Sequence, residues 1–369
     1  MSRIIKAEVK KIERPTTVMT TSYGAAPQKK EHVFLVLEDE DGVQGWGEST
    51  PLPEFSGETT SVVQMILEQV LLPQVMGVDS FDIAETHKIM DRAIYGNHAA
   101  KMAVDTALYD LNAKKLGIPL YDLLGGKARE GSPINRHIGI VPTEKAAAIA
   151  RDYAAAGFSS IKIKVGADVS ADAARVKAVR QAAGADVSLR VDANGGYSFH
   201  DAMKFIDATA SCRIDIFEQL LPKERLKEAA LIRRQTGIQL CADEGICSPQ
   251  DGLRHAEMGA ADLFTIKLVK TGGFYPALQI AAIAQAAGIG CIVANTFDTQ
   301  VNCAACLHLA CSLPGAQTAN DLTCFATQPD MAVSCHELTG DFLRVGRGRG
   351  IGVMRLQEFE IDSNAMACR

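Results

Sequence analysis

The chain has 369 residues, of which 47% are hydrophobic and 22% are charged. This balance is typical of a folded globular protein and is too apolar for intrinsic disorder. A formal net charge of −6 disfavours nucleic acid and anionic membranes as partners. We therefore expect a soluble enzyme or binding protein with two domains, or with one large barrel and an accessory domain.

The first 125 residues or so have the pattern of antiparallel strands followed by helices. Residues 33–48 contain two apolar runs around Glu40-Asp41-Gly42, which predicts a β-hairpin. Residues 61–116 have helical periodicity and end at Gly117, with Pro119 soon after, which is a typical helix stop. This part of the chain is therefore predicted to be an α+β domain.

From about residue 135 the pattern changes to short apolar segments that alternate with Ala-rich helices. Eight such segments are found, at residues 137–141, 160–165, 188–194, 214–219, 238–244, 263–269, 290–295 and 318–323. This alternation predicts βαβ units and a parallel sheet. Eight units favour a closed β/α barrel over an open sheet, and the remaining C-terminal tail is expected to return to the first domain.

The cysteine distribution predicts reduced thiols in the cytoplasm. All ten cysteines lie at or after Cys212, and the charged N-terminal segment lacks the apolar core of a signal peptide. Cys303 and Cys306 precede His308, but this spacing fits neither haem attachment nor a paired zinc site. A buried helix that uses cysteine as a small apolar residue is the preferred interpretation.

One long stretch, residues 271–297, carries no charged side chain. Glycine, proline, glutamine and asparagine interrupt it, whereas a membrane-spanning helix needs about 20 predominantly apolar residues in succession. We predict a loop, a buried helix over residues 275–287 and a strand over residues 291–295, and no membrane span.

Polar side chains occur at the carboxyl ends of the apolar segments, at intervals of about one βα unit. In chain order they are Lys162, Lys164, Asp192, Asn194, Glu218, Asp243, Glu244, Lys267, Asp298 and Asp321. The carboxyl ends of all barrel strands meet at the face where barrel enzymes build their active sites. A single acid at a strand end is more often a helix cap or a solvated loop residue, but recurrence on seven consecutive units argues against that interpretation.

The residue types in this series indicate metal-assisted acid–base chemistry. Carboxylates on three adjacent strands (Asp192, Glu218, and Asp243 or Glu244) are hard oxygen ligands that suit Mg²⁺. Lys164 and Lys267 flank them, and a nearby cation would lower the pKa of a lysine toward that of a general base. A metal-binding scaffold without catalysis would not need both lysines.

The motifs resemble those of the enolase superfamily, in the muconate-lactonizing-enzyme subgroup of the mandelate racemase/muconate lactonizing enzyme family. The resemblance covers essentially the whole chain through KIK (162–164), VDANGGYS, FEQ, ADEGI, IKLVKTGGF, GWGES and AVDTALYDLNAKKLGIPLYDLLGG. It implies an α/β fold with a modified (β/α)7β TIM-like barrel over residues 128–325. It also implies an N-terminal α+β capping domain over residues 1–127 and a C-terminal segment, residues 326–369, that returns to the cap.

The resemblance also implies roles for individual residues. Asp192, Glu218 and Asp243 would hold Mg²⁺, with Mn²⁺ as a substitute, and the metal would bind the substrate carboxylate. Lys164 and Lys267 would act as acid and base on opposite faces of the substrate, and Lys162 would stabilise an enolate. Supporting or substrate-contacting roles are expected for Asn194, Glu244, Asp298, Asp321, Tyr23 and Phe55.

Tyr23 and Phe55 lie in loops rich in glycine and proline, at about residues 20–30 and 50–58. Such loops suit closure over a barrel mouth. Lys29, Lys30 and Glu54 are further candidates for substrate contact in these loops. For each of these loop residues taken singly, a solvated side chain is the commoner interpretation.

The reaction itself stays open at this point. Racemisation or epimerisation of an amino-acid derivative is favoured, and cycloisomerisation of the muconate type and dehydration of a hydroxylated acid are the alternatives. The mandelate-racemase subgroup is similar but uses a His–Asp pair at the sixth and seventh strands. Here the sixth segment carries Lys267 and the seventh has no histidine, which argues against that subgroup. Subgroup members often have glutamate where this chain has Asp298.

The eighth segment departs from the Asp-x-Asp pair that binds the α-ammonium of dipeptides in related epimerases. Here the sequence is Asp321-Leu322-Thr323, which argues against an unblocked dipeptide and leaves an N-substituted amine, a secondary amine or no amine. We expect a small-molecule carboxylate as the partner, no nucleic acid or membrane, and a homo-oligomer.

Overall fold

The computed structural model describes residues 2–16, 19–315, 319–328, 332–356 and 359–360. Its N-terminal part contains β1 (Ile4–Pro15), β2 (Thr20–Thr21), β3 (Gly24–Ala25), β4 (Lys29–Asp39), β5 (Gln44–Ser49), α1 (Pro53–Ser56), α2 (Thr60–Ile66), a π-helical turn (Leu67–Leu71), α3 (Leu72–Val75), α4 (Ile83–Ala93), α5 (His98–Leu116) and α6 (Leu120–Leu123).

The remainder contains β6 (Gly131–Pro133), β7 (Arg136–Ile138), α7 (Thr143–Ala155), β8 (Ser160–Lys164), α8 (Val169–Ala183), β9 (Ser188–Asp192), α9 (Phe199–Thr209), a 3₁₀ turn (Ala210–Cys212), β10 (Ile216–Glu218), α10 (Leu226–Thr236), β11 (Leu240–Ala242), α11 (Pro249–Met258), β12 (Leu263–Ile266), α12 (Leu268–Thr271), α13 (Phe274–Ala286), β13 (Gly290–Val293), α14 (Gln300–Ser312), α15 (Cys324–Thr327), β14 (Ala332–Ser334), β15 (Glu337–Thr339), β16 (Phe342–Arg344), β17 (Val353–Leu356) and β18 (Phe359–Glu360).

The N-terminal part is built on an antiparallel sheet of order β1-β4-β5, against which α5 packs. The predicted hairpin is confirmed, because β4 and β5 pair from Val33–Ser49 to Glu38–Gln44. A Cβ atom at Gly45 or Gly47 would lie 2.0 Å from the carbonyl oxygens of α5. Glycine is therefore required where the sheet meets this almost fully buried helix.

The barrel consists of seven parallel strands, β7 to β13, hydrogen-bonded in chain order. The predicted eighth strand closes it. Asp321 N donates to Val293 O at 3.0 Å, and Asn135 N donates to Asn320 O at 3.2 Å. The modified (β/α)7β barrel is thus confirmed, although Thr318, the first residue of the predicted eighth segment, lies outside the described residues.

Strand alternation decides which side chains enter the barrel. In β8, Ile161 and Ile163 pack into the apolar core shared with the surrounding helices. Lys162 and Lys164 alternate with them and point to the opposite side, into the barrel interior. All of these residues are buried, so the two lysines are not surface charges.

The C-terminal segment contacts both other parts of the chain. β16 pairs with β6, the short strand that precedes the first barrel strand. Gly350 forms backbone hydrogen bonds with Ile118 and Leu120, and Ile351 N donates to Asp110 in α5. The division of the chain at residues 127 and 325 itself stays a prediction, and residues 361–369 lie outside the described part.

The two unusual stretches noted in the sequence are ordinary buried elements. Residues 271–297 begin at the last residue of α12 and contain α13 and β13, whose bounds are close to the predicted ones. Cys303 and Cys306 lie in the buried helix α14, and the described cysteines are free thiols. His308 Nδ1 accepts a hydrogen bond from Tyr121 N at 3.1 Å. Within the described part of the chain, no helix is both long and apolar enough to span a bilayer.

The buried carboxyl group of Glu58 makes the stability of the folded protein depend on pH. Its buried carboxylate accepts from Ala99 N at 3.2 Å, at the start of α5. Burial raises the pKa of Glu58 from 4.5 to about 7, although the backbone donors and Lys101 act in the opposite direction. The folded protein therefore holds this proton more tightly than the unfolded chain, and stability is lost as pH rises from about 4.5 to about 7.

We expect Glu58→Gln to remove this loss, because glutamine keeps the acceptor and cannot ionise. Chemical denaturation at pH 8 should give the variant up to roughly 3 kcal/mol more stability than the wild type, and near pH 4 the two should agree closely. Glu40→Gln in the exposed hairpin turn is the matched control. An equal difference between Glu58→Gln and the wild type at both pH values would contradict this account.

Candidate active site

Three buried carboxylates meet where β9, β10 and β11 end. Asp192, Glu218 and Asp243 are each fully buried, and one oxygen atom of each lies within 4.8 Å of the others. Their proximity follows from strand register, since Asp192 pairs with Glu218 and β11 lies next to β10. In the described part of the chain this is the cluster whose atoms could hold a metal ion.

Lys162 lies inside the barrel among these carboxylates. Its Nζ lies 2.8 Å from Glu218, 3.2 Å from Asp192 and 2.7 Å from Asp321. Burial lowers the pKa of Lys162, but attraction to Asp321, Glu218 and Asp192 outweighs it and raises the pKa well above its usual value. Lys162 is therefore a fixed positive charge.

Lys164 and Lys267 lie on opposite sides of the three carboxylate-bearing strands, at the ends of β8 and β12. Lys164 Nζ lies 2.5 Å from Asp192 Oδ2 and 3.1 Å from Asn194 Oδ1. Lys267 Nζ lies 2.5 Å from Asp243 Oδ2 and 4.7 Å from the centre of the Phe55 ring. The structure thus brings two amines to the two flanks of one carboxylate cluster.

The protein's own charges raise the pKa of Lys267. Burial lowers the pKa of Lys267, but attraction to Asp243 exceeds both burial and repulsion from Lys162, so the pKa is raised above its usual value. The carboxylate of Asp243 is the charge that acts most strongly on the Lys267 amine, and the lowering expected from a bound cation stays a prediction.

Asp243 is held by a residue that the sequence analysis missed. Lys270 Nζ contacts Asp243 Oδ1 at 2.7 Å, donates to Thr265 O at 2.9 Å and also donates to Asp243 O. These three contacts use all three ammonium protons. The available signal was the position of Lys270 in IKLVKTGG, one helical turn after Lys267, but nothing in the sequence shows which carboxylate it meets.

A chain of hydrogen bonds joins the loop at residues 20–30, the first cap loop, to Lys164. Tyr23 Oη donates to Glu244 Oε1 at 2.9 Å, and Asn194 Nδ2 donates to the same oxygen at 2.9 Å. Asn194 Oδ1 in turn accepts from Lys164, and its backbone φ of 45° is left-handed, a region that asparagine tolerates better than most residues. Asn194 and Glu244 therefore lie together between the first cap loop and the Lys164 amine.

Asp298 and Asp321 line the same cavity as the lysines but are engaged by other groups. Asp298 accepts from Thr296 N and Asn302 Nδ2, each at 2.9 Å, and burial together with Glu48 raises its pKa to about 6. Asp321 accepts from Asn135 Nδ2 at 2.5 Å and from Lys162 at 2.7 Å. Both oxygens of Asp321 are thus already hydrogen-bonded within the protein.

Glu48 connects the cap to the loop that carries Asp298. It lies in GWGES and accepts from the backbone N–H groups of Thr299, at 2.7 Å, and Asn302, at 3.0 Å. A carboxylate at the N-terminus of α14 satisfies donors that have no partner within the helix. His32 Nδ1 also lies 2.9 Å from Glu48 Oε1.

The lysines open into a cavity of about 330 Å³ between the cap loops and the barrel mouth. Its size is typical of small-molecule sites. Tyr23, Glu54 and Phe55 line it, whereas Lys29 pairs with Glu13 at the surface. Further lining residues, most of which the sequence analysis did not single out, are Thr16, Met19, Thr21, Gly24, Ala26, Leu52, Arg136, His137, Tyr153, Asn295, Thr296, Phe297, Thr323, Cys324, Ala326, Thr327 and Gln328.

We expect Tyr23→Phe to loosen the first cap loop, because phenylalanine keeps the ring and loses the hydrogen bond to Glu244. A half-exposed bond of this kind contributes on the order of 1 kcal/mol, so the KM should rise about fivefold. Amide hydrogen exchange over residues 19–26 should become faster. Tyr95→Phe, at a side chain that is 97% exposed, is the control. Unchanged hydrogen exchange and an unchanged KM in Tyr23→Phe would contradict the proposal that the Tyr23–Glu244 hydrogen bond holds the first cap loop in place.

Comparison with known proteins identifies the family. The mandelate racemase/muconate lactonizing enzyme N-terminal domain model matches residues 3–125, and the enolase C-terminal domain-like model matches residues 145–358. A hydrophobic dipeptide epimerase of Enterococcus faecalis is 32% identical over 328 residues, which is 88% of this chain and 92% of that protein. An N-succinyl-L-Arg/Lys racemase of Bacillus cereus is 32% identical over 302 residues, or 82% and 81% of the two chains.

Further similar proteins are a cycloisomerase, which catalyses a different reaction, and two epimerases of known structure. Muconate cycloisomerase 1 of Rhodococcus opacus is 32% identical over 313 residues, covering 84% of this chain and 83% of that protein. The Enterococcus faecalis dipeptide epimerase complexed with Mg and L-Leu-L-Tyr superposes with a TM-score of 0.90, at 32% identity and covering 95% and 99% of the two chains. The substrate-liganded L-Ala-D/L-Glu epimerase of Bacillus subtilis gives 0.92, at 29% identity and covering 96% and 99%. The chain therefore belongs to the enolase superfamily, in its muconate-lactonizing-enzyme subgroup.

Proposed function

We propose that this protein is a Mg²⁺-dependent isomerase that removes the proton α to a substrate carboxylate and returns a proton to the enolate. The favoured reaction is racemisation or epimerisation of an amino-acid derivative. The observation that carries the proposal is the placement of Lys164 and Lys267 on the two flanks of one carboxylate cluster.

The chemistry of the cluster supports a divalent metal. Burial and the neighbouring carboxylates raise the pKa of Glu218 to about 8, despite the attraction of Lys162. Ionised carboxylates so close together are costly unless a cation offsets their repulsion. Three oxygen donors without a thiol or imidazole suit Mg²⁺, and also Mn²⁺ as a substitute. When bound, the metal would supply positive charge to the substrate carboxylate and to the enolate.

The two lysines would perform the proton transfers. The neutral amine of Lys164 takes the α-proton from one face, and the ammonium of Lys267 gives its proton to the opposite face; the reverse reaction exchanges these roles. Substrate and product then differ only in configuration at the α-carbon. Lys162, a fixed positive charge, would stabilise the negative charge that builds up on the carboxylate oxygens.

The remaining residues would support these groups. Asn194 would orient Lys164, and Glu244 with Tyr23 would hold Asn194 and the first cap loop. Phe55 would cover Lys267. Asp298 would fix the loop after β13, and Asp321 would hold Lys162 in place.

Cycloisomerisation is the second candidate, and one observation favours it. Both oxygens of Asp321 accept hydrogen bonds within the protein, and Thr323 occupies the second position of the Asp-x-Asp pair. The carboxylate at the end of the eighth strand is therefore already engaged by an amide and an ammonium and lacks the second acid of the pair, which disfavours recognition of a free α-ammonium. A substrate with no amine would fit this site as well as an N-substituted amino acid.

Proton exchange in D₂O separates the two reactions. The protein with Mg²⁺ is incubated with N-acyl amino acids, dipeptides and muconates, and uptake of α-deuterium is followed by NMR. Racemisation predicts α-deuterium together with loss of optical rotation, whereas cycloisomerisation predicts loss of the muconate absorbance. A double Lys164→Ala, Lys267→Ala variant is the control. No reaction of any class, with Mg²⁺ binding intact, would exclude the proposal.

A further inference from the structure

We propose that a buried cluster outside the cavity, formed by Asp172, Arg175 and Tyr197 and called here the β8 support, positions the Lys164 amine for proton transfer. This inference rests on the proposed function, in which Lys164 serves one face of the substrate. It goes beyond that function, because it assigns the placement of one base to three positioning residues that are not among those lining the cavity.

Arg175 holds the backbone of Lys164. It lies in α8, and its Nη2 donates to Lys164 O at 3.2 Å. The ladder between β7 and β8 ends at the pair Ile138–Ile163, one residue earlier. The carbonyl group of Lys164 thus takes a donor from outside the sheet, and the position of the last residue of β8 depends on a side chain of the following helix.

Asp172 fixes both the guanidinium and the turn that follows β8. Its Oδ1 accepts from Arg175 Nη2. Its Oδ2 accepts from the consecutive backbone N–H groups of residues 166–168, at 2.8, 3.0 and 3.2 Å. Asp172 and Arg175 are only 1% and 3% exposed, and charge-assisted hydrogen bonds are stronger than neutral ones. The turn after Lys164 is thereby tied to the same guanidinium as the Lys164 carbonyl.

Tyr197 joins the β8 support to the loop that carries Asn194. Its Oη donates to Asp172 Oδ2 at 2.7 Å. The backbones of the two loops also touch, because a Cβ atom at Gly196 would lie 2.3 Å from Gly166 O. Only glycine allows so close an approach. One cluster therefore supports both the base of this flank and the amide that contacts its amine.

The consequence concerns only one of the two bases. A misplacement of about 1 Å in a reacting group can cost on the order of 100-fold in rate. Lys267 lies at the end of β12, on the opposite flank, and is held by Asp243 rather than by the β8 support. Loosening the support should therefore slow proton transfer at one face of the substrate and spare the other face.

Exchange of each pure enantiomer in D₂O tests this assignment in the Mg²⁺-loaded protein. Lys164→Ala identifies the enantiomer whose α-proton Lys164 removes. Tyr197→Phe and Arg175→Met should slow exchange of that same enantiomer by about 10- to 100-fold in kcat with little change in KM, and should leave the other enantiomer near the wild-type rate. Racemisation should fall equally in both directions, because each direction uses both lysines. Arg175→Lys should restore part of the loss, since lysine can still donate to the Lys164 carbonyl.

Tyr197→Phe keeps both charges of the support and the ring beside Phe205, so it tests the proposal even if Arg175→Met does not fold. Arg180→Met is the matched control. Arg180 lies in the same helix and donates to Cys212 O at 2.8 Å and to Val187 O at 2.7 Å. Its loss should affect the two enantiomers alike. Equal slowing of both enantiomers in the Tyr197 and Arg175 variants, or no slowing of either, would overturn the proposal.

A measurement without substrate separates this inference from the proposed function. Amide hydrogen exchange over residues 161–168 should become faster in Tyr197→Phe and Arg175→Met, whereas exchange over residues 263–270 should stay at the wild-type rate. If the wild type exchanged neither enantiomer, the proposed function would fail, and this comparison would still decide whether the support holds the end of β8. Equal acceleration of both segments, or of neither, would exclude that role.

Discussion

Racemisation should fall by about two to four orders of magnitude in Lys164→Ala and in Lys267→Ala, because a positioned general acid or base contributes about 10²–10⁴-fold. Each variant retains one of the two amines. It should therefore still exchange the α-proton of one enantiomer with solvent, on the face that its remaining lysine serves, without inverting the configuration.

The measurement is NMR of each pure enantiomer in D₂O, with polarimetry on the same samples. Lys177→Ala, an exposed lysine of α8, controls for loss of a positive charge and should keep full activity. The two variants should spare opposite enantiomers. If both variants lost exchange of the same enantiomer, or if either still racemised at the wild-type rate, the placement of one base on each face would be wrong.

Removal of the metal should lower the stability of the wild type but have little effect on Glu218→Gln. A ligand that binds only the folded state at 100 times its Kd stabilises that state by about 2.7 kcal/mol. Excess Mg²⁺ should thus raise the Tm of the wild type relative to chelator. The variant lacks one of the three carboxylates of the cluster, so its Mg²⁺ response and its activity should both be lost.

Chelator conditions give a second check on the same variant. The raised pKa of Glu218, about 8, means that this carboxyl is largely protonated at pH 7 among the protein's own charges. Its neutral amide analogue should then unfold within about 1 kcal/mol of the wild type in chelator. Glu224→Gln, at an exposed residue after β10, should keep the Mg²⁺ response. A wild-type response in Glu218→Gln would place the metal elsewhere.

Much of the fold follows from local patterns. The hairpin of β4 and β5, the helix end at Gly117 and the eight strand segments of the barrel are all encoded within short stretches, through hydrophobic periodicity and turn residues. The metal-site geometry follows almost as directly. Parallel strands in chain order bring consecutive strand ends together, so carboxylates spaced by one βα unit meet in space.

Other features of the site could not be predicted in the same way. The ion pair between Lys267 and Asp243, which raises the pKa of Lys267, could not be predicted, because a strand-end pattern does not say which carboxylate lies nearest to the amine. Lys270 was overlooked because its role depends on how α12 turns back toward β11. Arg175 was overlooked because it lies within a helix, outside the series of strand ends.

The amino-acid sequence by itself thus determined the order of strands and helices, the closed barrel and the charged groups at its mouth. Tertiary structure alone decided how those charges pair: Lys162 with Asp321 inside the barrel, and Tyr23 with Glu244 across the cap interface. The physical reason is that electrostatic interactions depend on distance in space. Partners more than a hundred residues apart become neighbours only when the barrel closes and the cap docks on it.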